Sequence, residues 1–488
     1  MTAVRDLWPA LSLVAVACVL YANTVVHPFV HDDLVFIVQN PAISRLDHIA
    51  GIFLDPSGAV SHGINAYYRP VLELIYRLEY RFFGLDPSGY HAFNVLVHAA
   101  NGALIFFLLF RLGLGPRGLA WGLSAIFLVH PAQSESVACV AGISNLASAF
   151  FILACLYFYV SRRTVWAMAA FVLGLFTKES TVILPLMLIV VDRLYIGGSA
   201  GRTWTRAGPF AAIASVFLVL RQYLTGTDPV SAVLASPGEL ALRLLAIPRT
   251  LLTYGKIIVW PDDLHYYRST DILAPNAWAF ALLGLIILMG FWWFRRPPAL
   301  TGRRPGGLNA DDKRTVIFGA GWFLVFLFPV LNVVPLINEY SFILTAEHFL
   351  YLPIVGVLLT GGVVLSRWTA RLSMRKGLFA MVFAACFVTT VGQNTFWRGE
   401  VPLFERMVRF EPRFGRGHIL LARAYDADHR YDLAKRHYAI ALDIMQGYAV
   451  RASDATAKNI YSGFIRDIHM DLTRLEKTLT SPTGASFK

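Results

Sequence analysis

Residues 31–33 read His-Asp-Asp and follow directly on the first apolar run of the chain. A carboxylate held at the edge of an apolar region can take a proton from a hydroxyl, which is general-base chemistry. Other ionisable and aromatic groups recur at similar boundaries: Tyr67, Tyr68 and Arg69, His130 and Glu135, Lys178 and Glu179, Arg221, then Glu347 and His348. Arg69, Lys178, Arg221 and His348 are cations of the kind that receive a phosphate. Each group also has an ordinary reading. Asp32 or Asp33 could cap the helix that LVFIVQN would start, and Arg69-Pro70 could be a turn with a snorkelling arginine. Lys178-Glu179 could be an interfacial anchor with a local ion pair, and His130-Pro131 an ordinary span end. What separates the readings is whether these residues share one side of a membrane.

The elements that must position them are apolar and long. Of 488 residues 56% are hydrophobic and 15% charged, with mean hydropathy +0.55. Soluble domains carry about a quarter charged residues, so the chain reads as an all-α polytopic membrane protein. A net charge of +12 does not indicate nucleic acid, because the basic residues sit in short clusters between apolar runs. Cys18, Cys139, Cys155 and Cys386 all fall inside apolar runs without CxxC or metal-ligand spacing, which makes them packing residues. The first run, Leu7 to Val26, lacks a small-residue cleavage site and reads as a retained helix.

About 20 apolar residues cross a bilayer as a helix. Such stretches begin near residues 7, 91, 117, 137, 164, 180, 208, 276, 315, 347 and 377, about eleven in all. With the N-terminus inside, alternate loops carry Arg111 and Arg117, Arg162 and Arg163, then Arg193, Arg202 and Arg206. The pattern continues with the Arg/Lys cluster at 295–314 and the one at 367–376. Every alternate loop is basic, as the positive-inside rule demands. Residues 239–258 contain Arg243, Pro248, Arg249 and Lys256. A full crossing there would put the basic loop at 295–314 outside, so this stretch reads as an interfacial or re-entrant helix. On this threading a first outer loop spans about 28–90, and the candidate residues all fall on the outer side. Ionisable groups beside spanning segments are costly and mark function.

From residue 396 to 488 the long apolar runs stop. Leu421, Ala422, Tyr425, Ala434, Tyr438 and Ala441 match the small and aromatic positions of a 34-residue tetratricopeptide (TPR) helix pair. Phe404, Met407 and Pro412 keep the same register in a preceding half-repeat, and residues 455–478 read as a capping helix. Such pairs build peptide-binding surfaces.

The order HDD, YYRP…GYHAFNVLVHA, HPAQSESVA, TKES, AEHFLYLP and then TPR-type helices resembles the transmembrane-and-TPR-repeat O-mannosyltransferases, within the C superfamily of glycosyltransferases (GT-C). The resemblance covers nearly the whole chain. It implies a GT-C transmembrane catalytic domain over 1–395 and a short extracytoplasmic TPR-like domain over 396–488. It also implies inverting transfer of a sugar, mannose by preference, from a polyprenyl-phosphate donor to a hydroxyl, with Ser or Thr of a protein as acceptor. By resemblance Asp32 is the general base and Asp33 orients a substrate. The leaving lipid phosphate would need Arg69, Lys178, Arg221 and His348, with His31, Tyr68, His130, Glu135, Glu179 and Glu347 orienting substrates. Two positions depart from the family. Histidine stands at 348 where arginine is usual, and ISNL around Asn145 stands where an arginine and an acid are common.

The resemblance implies no required cofactor, while His31, Asp32 and Asp33 leave a divalent metal open. The implied partners are the lipid-linked donor and a protein acceptor recruited by the tail, with no nucleic acid. A bacterial inner membrane with a periplasmic tail is preferred over an ER membrane with a lumenal one. Competing classes are a transporter or lipid flippase, a GT-C transferase directed at lipid or glycan, and a non-catalytic scaffold. A transporter would place ionisable groups near the midplane in internally repeated halves, which this sequence does not display.

Overall fold

A computed structural model describes residues 2–45, 49–54, 68–197, 199–226, 237–268, 276–295, 308–331, 333, 345–368, 372–451 and 455–480. Among the described residues every regular element is helical. The chain separates into two compact units, one of residues 1–264 with 270–395, the other of 265–269 with 396–488.

The first unit opens with α1 (Thr2–Leu20), and the loop after it carries α2 (Ile49–Leu54) and α3 (Pro70–Phe83). There follow α4 (Pro87–Arg111), α5 (Arg117–Val129), the short α6 (Ser134–Ala138), α7 (Ile143–Val160) and α8 (Thr164–Thr177). Next come α9 (Leu184–Val191), α10 (Ala200–Thr225), α11 (Pro237–Val259) and α12 (Ala277–Arg295). The unit ends with α13 (Ala310–Leu327), α14 (Pro353–Trp368) and α15 (Leu372–Asn394). Their starts follow local chemistry. Pro70 and Pro87 occupy first turns, where a missing N–H costs nothing. Asp86 caps α4, and Asn309 forms a capping box with Asp312 at α13.

Among the described residues six stretches are long and apolar enough to cross a membrane: Pro87–Arg111, Val140–Val160, Ala200–Thr225, Ala277–Arg295, Ala310–Val330 and Leu372–Trp397. Shorter apolar helices cover Leu7–Leu20, Arg117–Val129, Thr164–Thr177 and Pro353–Arg367. The protein is thus an all-helical, multi-pass integral membrane protein. In α12 the Leu285, Ile286, Ile287 and Leu288 side chains all face outward, which only a lipid environment accommodates.

Some boundaries differ from the sequence reading, for visible reasons. The run expected near 137 first makes α6 and a tight turn and becomes helical at Ile143. The run near 180 is broken by a 3-10 turn, Glu179–Ile183, and Pro185 opens α9. The run near 347 likewise begins as a 3-10 turn, Glu347–Leu350, with the helix starting at Pro353. Near residues 137, 180 and 347, apolar composition conceals short irregular turns, and candidate residues sit in or beside them.

Helix α4 is the hub and packs against α1, α5 and α7. Helices α13 and α14 approach through Gly319 and Gly356, and a Cβ on Gly356 would lie 2.2 Å from the Gly319 carbonyl oxygen. Small residues at such crossings let membrane helices pack backbone to backbone. The junctions α4–α5, α7–α8 and α9–α10 carry the arginines, with Arg206 bound to the buried Asp192 at 3.0 Å. The alternate junctions, residues 130–142 and 178–183, carry the candidate site residues.

The second unit stacks α16 (Glu400–Phe410), α17 (Gly415–Ala427), α18 (Tyr431–Arg451) and α19 (Ala455–Thr480), each against the next. Leu421, Ala422, Tyr425, Ala434, Tyr438 and Ala441 are buried along the seams, as are Phe404 and Met407. His265 stacks on Phe410 within this unit, with ring centroids 5.2 Å apart.

Candidate functional site

The two aspartates have opposite surroundings. Asp33 is wholly buried. Its Oδ1 accepts from the Ala141 N–H at 2.7 Å and the Cys139 thiol at 3.4 Å, while Oδ2 accepts from the Val30 N–H at 3.1 Å. Burial pushes its carboxyl up to about 7, against the pull of these donors. The side chain of Asp32 is 35% exposed, with His31 Nε2 3.4 Å from its Oδ1. His31 has φ +49°, a left-handed conformation unusual for a non-glycine residue. Asp33 stands at the start of the Leu34–Val38 turn but does not cap it with its side chain. That side chain ties the loop to residues 139–141 instead.

The 137–142 turn is itself held from α4. Asn94 Nδ2 donates to the carbonyls of Cys139 at 2.9 Å, Val140 at 3.3 Å and Val137 at 3.4 Å. One helical face further along, Asn101 donates to the Leu146 carbonyl and the Tyr351 hydroxyl, and His98 Nδ1 lies 2.7 Å from that hydroxyl. The residues 91, 94, 98 and 101 recur at spacings of three and four, so they form one polar stripe on α4. Gly142 completes the turn, since a Cβ there would lie 2.2 Å from the Ser136 carbonyl oxygen.

The basic and acidic candidates meet in pairs. Glu135 Oε1 lies 2.6 Å from His348 Nδ1, and Oε2 accepts from the His348 backbone N–H at 2.9 Å. Arg69 binds Glu179 with both arms of its fork, at 2.9 and 2.6 Å. Burial alone would raise Glu179, but Arg69, Arg221 and Lys178 together hold it down to about 2. Lys178 donates its Nζ to Asn145 Oδ1. Burial first, and then Arg69, bring its ammonium down to about 8, against Glu179 and Glu135. Cys139 feels Asp33, Asp32 and Glu135, and Lys178 feels Glu135, Arg69 and Glu179. Glu135, Lys178, Glu179, Arg69 and Arg221 thus act on one another electrostatically. A recess lined by Asn145, Ser148, Lys178, Ser180 and His348 opens on this set. Such a set suits a ligand with an anionic group and a proton to lose. Among the described residues no three His, Cys, Asp or Glu side chains group as a metal would require.

Other expected residues sit elsewhere. The Tyr68 hydroxyl donates to the Phe53 carbonyl at 2.9 Å, and its ring packs on Phe176 and Phe217. His130 is buried, with Nε2 at 2.9 Å from the Ile258 carbonyl and Nδ1 accepting from the Ala132 N–H. Burial holds its imidazole down near 4, so it is neutral. Glu347 is buried in its turn. Tyr67 lies outside the described residues.

The sequence offers Cys139 only as a packing residue, whereas its thiol donates to Asp33, and Asn94, Asn101 and Glu79 are not among the candidates it offers. The α4 stripe would have flagged the asparagines, because polar residues at helical spacing inside an apolar run are expensive. Glu79 on α3 gave no signal of its own among the charges of that helix. It is buried, and both its oxygens are without a hydrogen-bond partner among the described residues. Burial, and then the charge of Asp33, push its carboxyl well above the usual range.

No family model and no solved structure matches the chain. Over most of its length the chain resembles proteins named as protein O-mannosyl-transferases. It is 25% identical to "Protein O-mannosyl-transferase Tmtc1" of Drosophila melanogaster across 92% of this chain and 62% of that protein. It is also 25% identical to human "Protein O-mannosyl-transferase TMTC4" across 88% of this chain and 66% of that protein. A 154-residue stretch is 36% identical to "Protein O-mannosyl-transferase tmtc2" of Xenopus laevis, covering 30% of this chain and 18% of that protein. The chain thus spans somewhat less than two thirds of the length of the first two relatives.

Proposed function

We propose that this chain is a GT-C membrane glycosyltransferase. It moves a sugar, mannose by preference, from a polyprenyl-phosphate donor to a hydroxyl of Ser or Thr in a protein acceptor, with inversion. The named activity of the relatives supports the reaction class. The observation that carries the site is the division of labour at residues 32 and 33. Asp33 spends both oxygens on loop anchoring, while Asp32 is part-exposed, with His31 Nε2 3.4 Å from its carboxylate. Asp32 is then the base that takes the acceptor proton, on the face opposite the leaving phosphate. Lys178 and His348, at the recess, receive that phosphate, and Arg69 and Arg221 add positive potential behind them. No resident cofactor is required for this chemistry.

In this reading the ten apolar stretches and the segment 179–196 that contains α9 cross the bilayer, eleven crossings in all, with the bilayer thinned around the shorter ones. The site residues then lie at the outer face, and the second unit is a TPR-like domain on that side that recruits the acceptor. A bacterial inner membrane with a periplasmic tail fits the short array. A cryo-EM map with added polyprenyl phosphate tests the site. Phosphate density beside Lys178 and His348, with Asp32 facing the sugar position, is the expected result. Density at the opposite helix ends, near Arg206, would refute the placement.

A further inference from the structure

His348 is gripped by a single residue in two places. Glu135 holds its backbone N–H at 2.9 Å and its ring Nδ1 at 2.6 Å, so the turn and the imidazole are fixed together. A carboxylate on Nδ1 fixes the ring's orientation and its tautomer, the arrangement found behind acid–base histidines. With Nδ1 engaged, Nε2 is the ring nitrogen left for the recess that His348 lines together with Lys178, Asn145 and Ser180. The charged groups around the ring are Glu135 from α6, Lys178 from the end of α8 and Glu347 in its own turn. His130, at the turn before α6, directs its ring to Ile258 and Ala132. The Tyr351 hydroxyl is engaged by His98 and Asn101. A mere cation would need no such clamp.

We propose that His348 is the proton donor to the departing phosphate and that Glu135 is its positioning residue rather than a substrate-orienting one. This rests on the glycosyl transfer proposed above. In that reaction the acceptor oxygen bonds to the anomeric carbon as the bond from that carbon to the phosphate oxygen breaks. The electron pair of the broken bond stays on the phosphate, and the acceptor proton passes to Asp32. A phosphodiester carries one negative charge, but the departing monoester would carry two. The proton from His348 Nε2 keeps it at one. The imidazole then regains a proton as Asp32 loses one through water, so over the turnover the acceptor proton ends on the polyprenyl phosphate.

The test is the pH profile of sugar transfer in proteoliposomes, with a polyprenyl-phosphate sugar and a peptide acceptor. Imidazole changes charge between pH 5 and 8. The native kcat is expected to fall about tenfold or more from pH 6 to 8.5. His348→Arg should keep the donor KM within about threefold, because the positive charge remains. It should also lower kcat by at least about tenfold and leave only the alkaline fall near pH 8 that belongs to Lys178. His348→Gln should raise KM and lower kcat together. Glu135→Gln should lower kcat by about tenfold while leaving KM nearly unchanged, and it makes the same test if the His348 variants do not fold. A His348→Arg or Glu135→Gln protein with the native kcat and native pH profile would overturn the proton-donor role. Native transfer with that outcome would leave the glycosyltransferase reading standing, whereas no transfer by the native protein at any pH would overturn both.

Discussion

Two buried glutamates respond to pH in opposite directions. Glu179, held down to about 2 against burial by Arg69, Arg221 and Lys178, is ionised in the folded chain. A depressed carboxyl stabilises above its unfolded pKa of about 4.3, and that stability is lost as pH falls towards 2. The expected size is about 3 kcal/mol, and Glu179→Gln should lower stability at pH 7 by a comparable amount, since it removes the carboxylate that the part-buried Arg69 binds with both arms. Glu79 is the converse case. Its folded pKa is raised, so the folded state holds a proton that the unfolded state releases above about 4.3, and stability falls as pH rises. Asp33, pushed up to about 7, adds to that fall between about pH 4 and 7. Thermal unfolding in detergent from pH 5 to 8 should therefore show a decline that is shallower in Glu79→Gln. An identical slope in native and variant would contradict the assignment. The Asp-Asp pair was legible in the sequence, but the roles within it were not. Only the folded loop reveals that Asp33 is consumed by Ala141, Cys139 and Val30.

At the scale of elements the site depends on short irregular turns supported by α4. Gly142 leaves no room for a side chain beside the Ser136 carbonyl. Gly142→Ala should displace the 137–142 turn and with it the Asp33 anchor. A shift of about 1 Å in such a support can cost about 100-fold in rate. The expected result is a fall of that order in kcat with a native-like thermal transition, read by transfer kinetics and differential scanning fluorimetry. Unchanged kinetics would show that the turn does not position the site. The helices themselves were legible as apolar runs with basic ends, because composition and charge alternation survive any detail of packing. The breaks at 139–142, 179–183 and 347–350 were not, since they lie inside apolar sequence and are fixed by tertiary bonds such as Asn94 to the Cys139 carbonyl. The polar stripe on α4 was visible in the spacing and went unread.

For the whole molecule, two compact units suggest separable tasks. Removing residues 396–488 should leave transfer to a short peptide within about threefold and raise KM for a folded protein acceptor about tenfold or more. Loss of transfer to both acceptors would assign the second unit to catalysis. The sequence singles out Leu421, Ala422, Tyr425, Ala434, Tyr438 and Ala441 by their spacing, and all six are buried in that unit. The central claim is that Asp32 takes the acceptor proton. Its most direct test is sugar transfer by purified Asp32→Asn protein in proteoliposomes, beside the native protein and with a polyprenyl-phosphate mannose donor. The account predicts a native-like fold and a loss of kcat of at least about 100-fold with little change in donor KM. Full transfer by the Asp32→Asn protein would contradict it.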